Sequence, residues 1–323
     1  MLKSEVKLVA PVSWILAVTC TCVLGGVGLT PSSVHAAACC AGSGAAPSVI
    51  SGDDVAQVSV SAARGTVIGD APAEGLPVFR NGATSEVTEI YLLSGAILVA
   101  DRWQVGAGVP ILRHEAAAKS TGSSSGLGDI RLNGAYEFLP EWTYSAWKPR
   151  GFGFLQFTLP TGTSVYDTQS AGAVDALGKG FYSLGAGSLL VKRWSAWDTY
   201  AIPEVHFSFR RTFRNENAEQ LQIGSGSGAS VSWGVGMSPG EGNFRIGLRL
   251  QPLYESPKGV VSDGATSRSG HQLSWNTALE ATYLVSTAWA INGMYVDQTL
   301  LGPAVNTTLS RTLALGLQRR WER

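Results

Sequence analysis

Residues 243–254 read N-F-R-I-G-L-R-L-Q-P-L-Y. Phe244, Ile246, Leu248 and Leu250 fall on one side, and Arg245, Gly247, Arg249 and Gln251 on the other. Successive strand side chains point to opposite faces, so the stretch is a ribbon with one apolar and one polar face. A sandwich would bury the apolar face against a second sheet. A closed cylinder would turn it to lipid and keep the polar face for a lumen.

Working outward, the alternation recurs in twelve candidate strands, at about 55–63, 86–99, 103–114, 127–139, 151–160, 180–192, 199–212, 228–238, 243–255, 271–285, 288–299 and 307–321. Most are ten residues or longer, whereas soluble strands average about five or six and a tilted membrane strand needs about nine to eleven. Connection lengths also alternate. Ala100–Arg102, Ser286–Thr287 and Pro239–Gly242 are tight turns, while 64–85, 115–126, 161–179, 213–227 and 256–270 are long and rich in Gly, Ser, Thr and Asn. Outer-membrane barrels have short periplasmic turns and long extracellular loops. From a periplasmic N-terminus every long loop falls on one side. The pattern predicts an all-β chain: a transmembrane, antiparallel, up-and-down barrel of 12 strands over 55–323. Residues 140–150 are an unusually long periplasmic turn. Trp103, Trp142, Tyr144, Trp147, Trp194, Trp197 and Trp289 gather at the predicted periplasmic end, as an interfacial aromatic belt would.

Composition agrees. Charged residues are 15% of the chain, and Lys+Arg and Asp+Glu are 24 each, so net charge is zero. Nucleic-acid partners are not expected from such a balance. Residues 1–36 read as a signal peptide. Lys3 and Lys7 precede an uncharged apolar stretch from Trp14 to Leu29, and Val34-His35-Ala36 is a small-x-small cleavage site. The alternative is an uncleaved membrane helix. Residues 37–54 then form a small, polar periplasmic lead-in. Cys39 and Cys40 follow Ala36–Ala38 in a weak lipoprotein-like box, and as neighbours they frame neither a disulfide nor a zinc site. The final strand places Leu313, Leu315, Leu317 and Trp321 on one face, but Glu322 and Arg323 follow the aromatic residue that assembly machinery usually reads.

Two stretches resemble a family of outer-membrane proteins linked by name to the meta-pathway of phenol degradation. They are Gly126-Leu-Gly-Asp-Ile130 with the alternating Leu132, Gly134, Tyr136 and Phe138, and Phe154-Leu-Gln-Phe-Thr-Leu-Pro-Thr-Gly162. The likeness extends over about 85–323. It implies a barrel that admits small, aromatic or apolar solutes.

The strand alternation assigns Asp129, Arg131, Glu137, Glu204, His206, Arg210, Arg245, Arg249 and Glu280, together with Arg320, to the lumen. Their mixed signs suit mutual bracing as well as pore lining, whereas a ring of one sign would indicate ion selectivity. Glu204, His206 and Ser208 share a face and could hydrolyse a lipid; His-x-Ser on a strand resembles outer-membrane lipid A deacylases. Against that, residues two apart on a strand are about 7 Å apart, too far for direct hydrogen bonding. No metal or cofactor motif is present: Gly224–Gly228 lacks a P-loop lysine, and Asp53-Asp54 and Asp263-Gly264 are isolated. Glu115–Lys119 could form one helical turn. The sequence therefore predicts a passive, porin-like channel for small solutes rather than an enzyme. Its expected partners are outer-membrane lipid, lipopolysaccharide and the barrel-assembly machinery. A structural or adhesive surface barrel is the other alternative, and whether the lumen is plugged stays open.

Overall fold

The computed structural model describes residues 47–81, 86–116, 122–170, 173–214, 220–240, 242–262 and 265–322. Twelve strands close into one antiparallel barrel. They are β1 (Asp54–Ala71), β2 (Glu86–Ala100), β3 (Trp103–Ala116), β4 (Ile130–Leu139), β5 (Arg150–Leu159), β6 (Ser183–Trp194), β7 (Trp197–Ser208), β8 (Gly226–Met237), β9 (Phe244–Glu255), β10 (Gln272–Leu284), β11 (Trp289–Asp297) and β12 (Thr307–Glu322). Each pairs with its sequence neighbour, and β1 pairs with β12 from Asp54↔Glu322 to Ala71↔Thr307. That last pairing removes both sheet edges, so the backbone groups along the seam are satisfied inside lipid.

The alternation in 243–254 holds in β9. Phe244, Ile246 and Leu248 project outward, with Leu248 59% exposed, while Arg245, Gly247, Arg249 and Gln251 are buried. The outward set on other strands (Val58, Val60, Tyr91, Leu93, Leu155, Phe157, Leu313 and Leu315) completes an apolar belt. Exposed aromatic residues rim the short-turn end: Trp103, Trp142, Tyr144, Trp147, Trp197 and Trp289. Trp147 is 89% exposed.

The lumen is less polar than the alternation suggested. On β4–β7 the inward residues Ala135, Phe152, Phe154, Leu189, Tyr200 and Ile202 form an apolar core. The inner face of β5 carries Phe152 and Phe154 at one end, which pack rather than hydrate, and Gln156 and Thr158 at the other, which line the cavity. Several inward glycines act as sockets for a large neighbour. A methyl group at Gly187 would meet the Phe154 ring, at Gly234 the Tyr200 ring, at Gly228 the His206 imidazole, and at Gly236 the Arg245 guanidinium. Pairing a large residue with a small one lets a narrow barrel fill its interior.

Two expectations about the long connections change. β1 runs on to Ala71, well past the expected end at residue 63. Residues 213–227 and 256–270 contribute a separate four-stranded sheet built from Arg211–Arg214, Gln220–Ile223, Gly259–Ser262 and Ala265–Arg268. Its core is Phe181, Phe213 and Ile223, backed by Tyr166, Leu221 and Val260. These apolar residues are spread over loops that read as polar overall, and only the fold brings them together. Glu115 and Ala116 extend β3 rather than begin a helical turn, and residues 117–119 lie outside the described residues.

The lead-in has a defined place at its described end. Residues 47–53 run along the inner wall, with Pro47, Val49 and Ile50 buried and Asp53 exposed. Ile50 is 2% exposed, and Val49 packs into the apolar core of β4–β7. The Ile50 N–H donates to Gln104 Oε1 (2.6 Å), and Gln104 Nε2 donates to Ile50 O (3.2 Å). Gln57 Nε2 donates to Val49 O (3.3 Å), Asn133 Nδ2 to Ser48 O (3.0 Å) and Arg150 Nη1 to Ser51 O (3.1 Å). The segment has no partner strand, so side-chain amides of the wall satisfy its backbone. The expected signal peptide, Cys39 and Cys40 lie outside the described residues.

Candidate functional site: the lumen cavity

A cavity of about 800 Å³ occupies the lumen. Its walls differ in chemistry. Ile90 and Leu92 on β2, Pro110 and Leu112 on β3, and Leu177 from the 160–182 connection form an apolar wall. The same two strands add Glu86, Thr88 and His114 to the lining, and β4–β9 present Arg131, Asn133, Gln156, Glu204, His206 and Glu255. Pro47, Ser48 and Val49 line it together with Gln57 and Gln318, which face each other (Gln318 Nε2 to Gln57 Oε1, 2.9 Å).

The expected lumen residues separate into three groups. The first is a buried brace. Arg245, 1% exposed, makes a bidentate pair with Asp198 through Nε–Oδ2 (2.8 Å) and Nη2–Oδ1 (2.7 Å). Glu280 lies 3.4 Å from both Arg245 Nη1 and Arg249 Nη1 and accepts from Tyr200 Oη (2.8 Å). Glu137 accepts from Arg150 Nε (2.6 Å), which couples β4 and β5 to the inserted segment. Arg320 lies 3.9 Å from Asp54 and donates to Thr287 O (3.0 Å).

The second group organises the rim. Asp129 accepts backbone N–H bonds from Lys179 (2.7 Å), Gly162 (3.1 Å) and Gly180 (3.3 Å). Thr161 Oγ1 donates to Gly128 O (2.5 Å) and accepts from the Ile130 N–H (3.1 Å). The Gly126–Ile130 and Pro160–Gly162 motifs are therefore two halves of one clasp, which holds the 160–182 connection to the barrel. Arg210 departs from expectation. β7 ends at Ser208, so Arg210 sits exposed in the break before Arg211–Arg214.

The third group faces the cavity: Arg131, Glu204 and His206. His206 Nε2 lies 3.1 Å from Glu255 Oε1, which also accepts from Lys179 Nζ (2.9 Å). Ser208 is buried, and its hydroxyl donates to Gly226 O (3.2 Å). The hydrolytic arrangement of Glu204, His206 and Ser208 is thus not assembled: the imidazole is committed to Glu255, and the hydroxyl points at a carbonyl. Lys258, beyond the end of β9, stacks 4.6 Å above the Phe181 ring, and burial pushes its amine below the usual lysine range. The sequence alone gave no signal for Glu255, Lys179 or Lys258, which reach the cavity from β9 and from two connections.

No family model matches the chain, and no curated protein matches its sequence. Solved structures do. The COG4313 outer membrane channel from Pseudomonas putida F1 aligns with a TM-score of 0.65 at 14% identity, covering 86% of this chain and 99% of that one. The chain has the fold of an outer-membrane barrel. The NanC porin aligns at 0.45 and 8% identity over 80% of this chain and 98% of that one. The TodX monoaromatic hydrocarbon channel aligns at 0.40 and 10% identity over 84% and 91%. With the apolar belt and the closed strand order, the fold places the protein in the bacterial outer membrane.

Proposed function

We propose that the barrel is a passive channel through which small amphipathic solutes cross the outer membrane, with residues 47–53 forming its periplasmic stopper. The observation that carries this is the 800 Å³ cavity, with an apolar patch on β2–β3, charged and polar groups around it and the inserted segment among its lining. A cavity of that size takes a solute with an apolar body and a few polar groups. The resemblance of the 126–130 and 154–162 stretches to the phenol meta-pathway family supports aromatic or otherwise apolar bodies. The stopper is the part able to move. It has no strand partner among the described residues and is held to the wall by side-chain hydrogen bonds, whereas the Asp198–Arg245–Glu280 brace is buried, bidentate and shared by three strands. Lipid and lipopolysaccharide would cover the belt, and passage needs no covalent chemistry. The test is planar-bilayer recording of the full mature chain and of Gln104→Ala/Arg150→Ala. Brief openings that lengthen in the double variant are expected. A silent bilayer with both proteins would refute the proposal.

A further inference from the structure

We infer that the cavity holds a binding station for zwitterions with an apolar body, with Arg131 receiving the carboxylate and Glu204 the ammonium group. The inference rests on the channel reading of the same cavity. It starts from the contacts that the neighbouring charges make. Asp129 accepts three backbone N–H bonds. Lys179 and His206 both engage Glu255, Arg249 is paired with Glu280, and Lys258 lies over Phe181. Arg131 and Glu204 make no hydrogen bond or ion pair among the described residues, although opposite charges act on each from nearby: Glu204 and Asp129 on Arg131, and His206, Arg131 and Lys179 on Glu204.

The wall between them is kept low. Arg131 on β4 aligns with Thr158 on β5, and Thr158 with Ser183 on β6. Gln156 aligns with Gly185, and Glu204 leans over that glycine, where an added methyl group would come within 3.2 Å of Oε1. On its other side Arg131 aligns with Gly108, behind which stands Leu92 of the apolar wall. Two opposite charges on β4 and β7, with Thr158, Ser183, Gly185 and Gln156 between them and an aliphatic wall beside Arg131, match an α-amino acid with an apolar side chain. A charge left unpaired in a desolvated site favours a ligand of opposite sign. A pair of opposite signs therefore favours a ligand that is neutral overall and charged at two points. An ion of either single sign would satisfy one group and repel the other.

Calorimetric titration of the detergent-solubilised full chain tests this with L-leucine, 4-methylpentanoate, which lacks the ammonium group, and 3-methylbutylamine, which lacks the carboxylate. L-leucine is expected to bind about tenfold or more tightly than either analogue, the effect of one charge-assisted hydrogen bond. In Arg131→Gln the advantage over the amine should vanish while the advantage over the acid remains; Glu204→Gln should do the reverse. Heat-modifiable migration on gels confirms that both variants are folded. Equal binding of all three compounds to the wild type, or no L-leucine binding, overturns the inference. Arabinose-driven swelling of proteoliposomes examines the channel reading separately, because arabinose carries neither charge: swelling without L-leucine binding would sink the station and leave the channel.

Discussion

Replacing Gln104 with Ala isolates the hold of the barrel on its stopper. Gln104 is buried on β3, and its amide bonds both backbone groups of Ile50, at 2.6 and 3.2 Å. Truncation removes both partners at once. Each buried backbone group left unpaired costs about 1–3 kcal/mol. Water entering from the adjoining cavity offsets part of that, which leaves a net weakening of about 2 kcal/mol. At about 1.4 kcal/mol per factor of ten, the ratio of closed to open stopper falls about 30-fold. Gln57→Ala is the internal comparison. It removes one 3.3 Å bond to the stopper, at Val49 O, besides a wall bond from Gln318, and should shift the ratio by about threefold to fivefold. Single-channel recording of open probability at fixed voltage reads both effects. The reasoning is refuted if Gln104→Ala keeps the wild-type open probability, or if Gln57→Ala opens the channel more than Gln104→Ala does.

Three further outcomes follow from the packing. Arg245→Leu strands the Asp198 carboxylate in the interior, so it should cost about 3–5 kcal/mol and lower the temperature at which the barrel loses its folded gel mobility. Gly236→Leu should reproduce much of that loss, because its side chain would occupy the space of the Arg245 guanidinium; Gly134→Ala, with no atom within 4 Å of the added carbon, should leave the mobility transition unchanged. Asp129→Ala removes the acceptor for three backbone donors and should expose the 160–182 connection to protease on intact cells, with the barrel strands still protected.

The strands were legible because lipid imposes one rule on every residue of a membrane strand. A period of two with an apolar outer face is repeated over residues 54–322 with little interference from propensity. Face assignments for Arg245, Arg249 and Glu204 follow from that rule alone. What each lumen side chain touches does not follow, because the contacts cross the closed barrel. Arg245 finds Asp198 two strands away, and His206 meets Glu255 by way of β8. The inward packing of β5 depends on the closed barrel in the same way. Phe152 and Phe154 fit only because Gly187 and the inserted Val49 complete their packing. The stopper itself, Pro-Ser-Val-Ile-Ser-Gly-Asp over 47–53, has no period. Its one clue is the adjacent Val49-Ile50 pair in an otherwise small and polar segment. Arg210 shows the limit of extrapolating a strand, since the alternation was carried two residues past the point where β7 ends.

The most direct measurement of the central claim is the swelling rate of proteoliposomes in isosmotic arabinose, with the full chain and with Gln104→Ala. A conduit stoppered by its own N-terminal segment gives slow swelling above that of empty vesicles, accelerated severalfold by the substitution. Swelling no faster than that of empty vesicles with either protein would contradict it, and the cavity would then be an enclosed space inside a structural barrel.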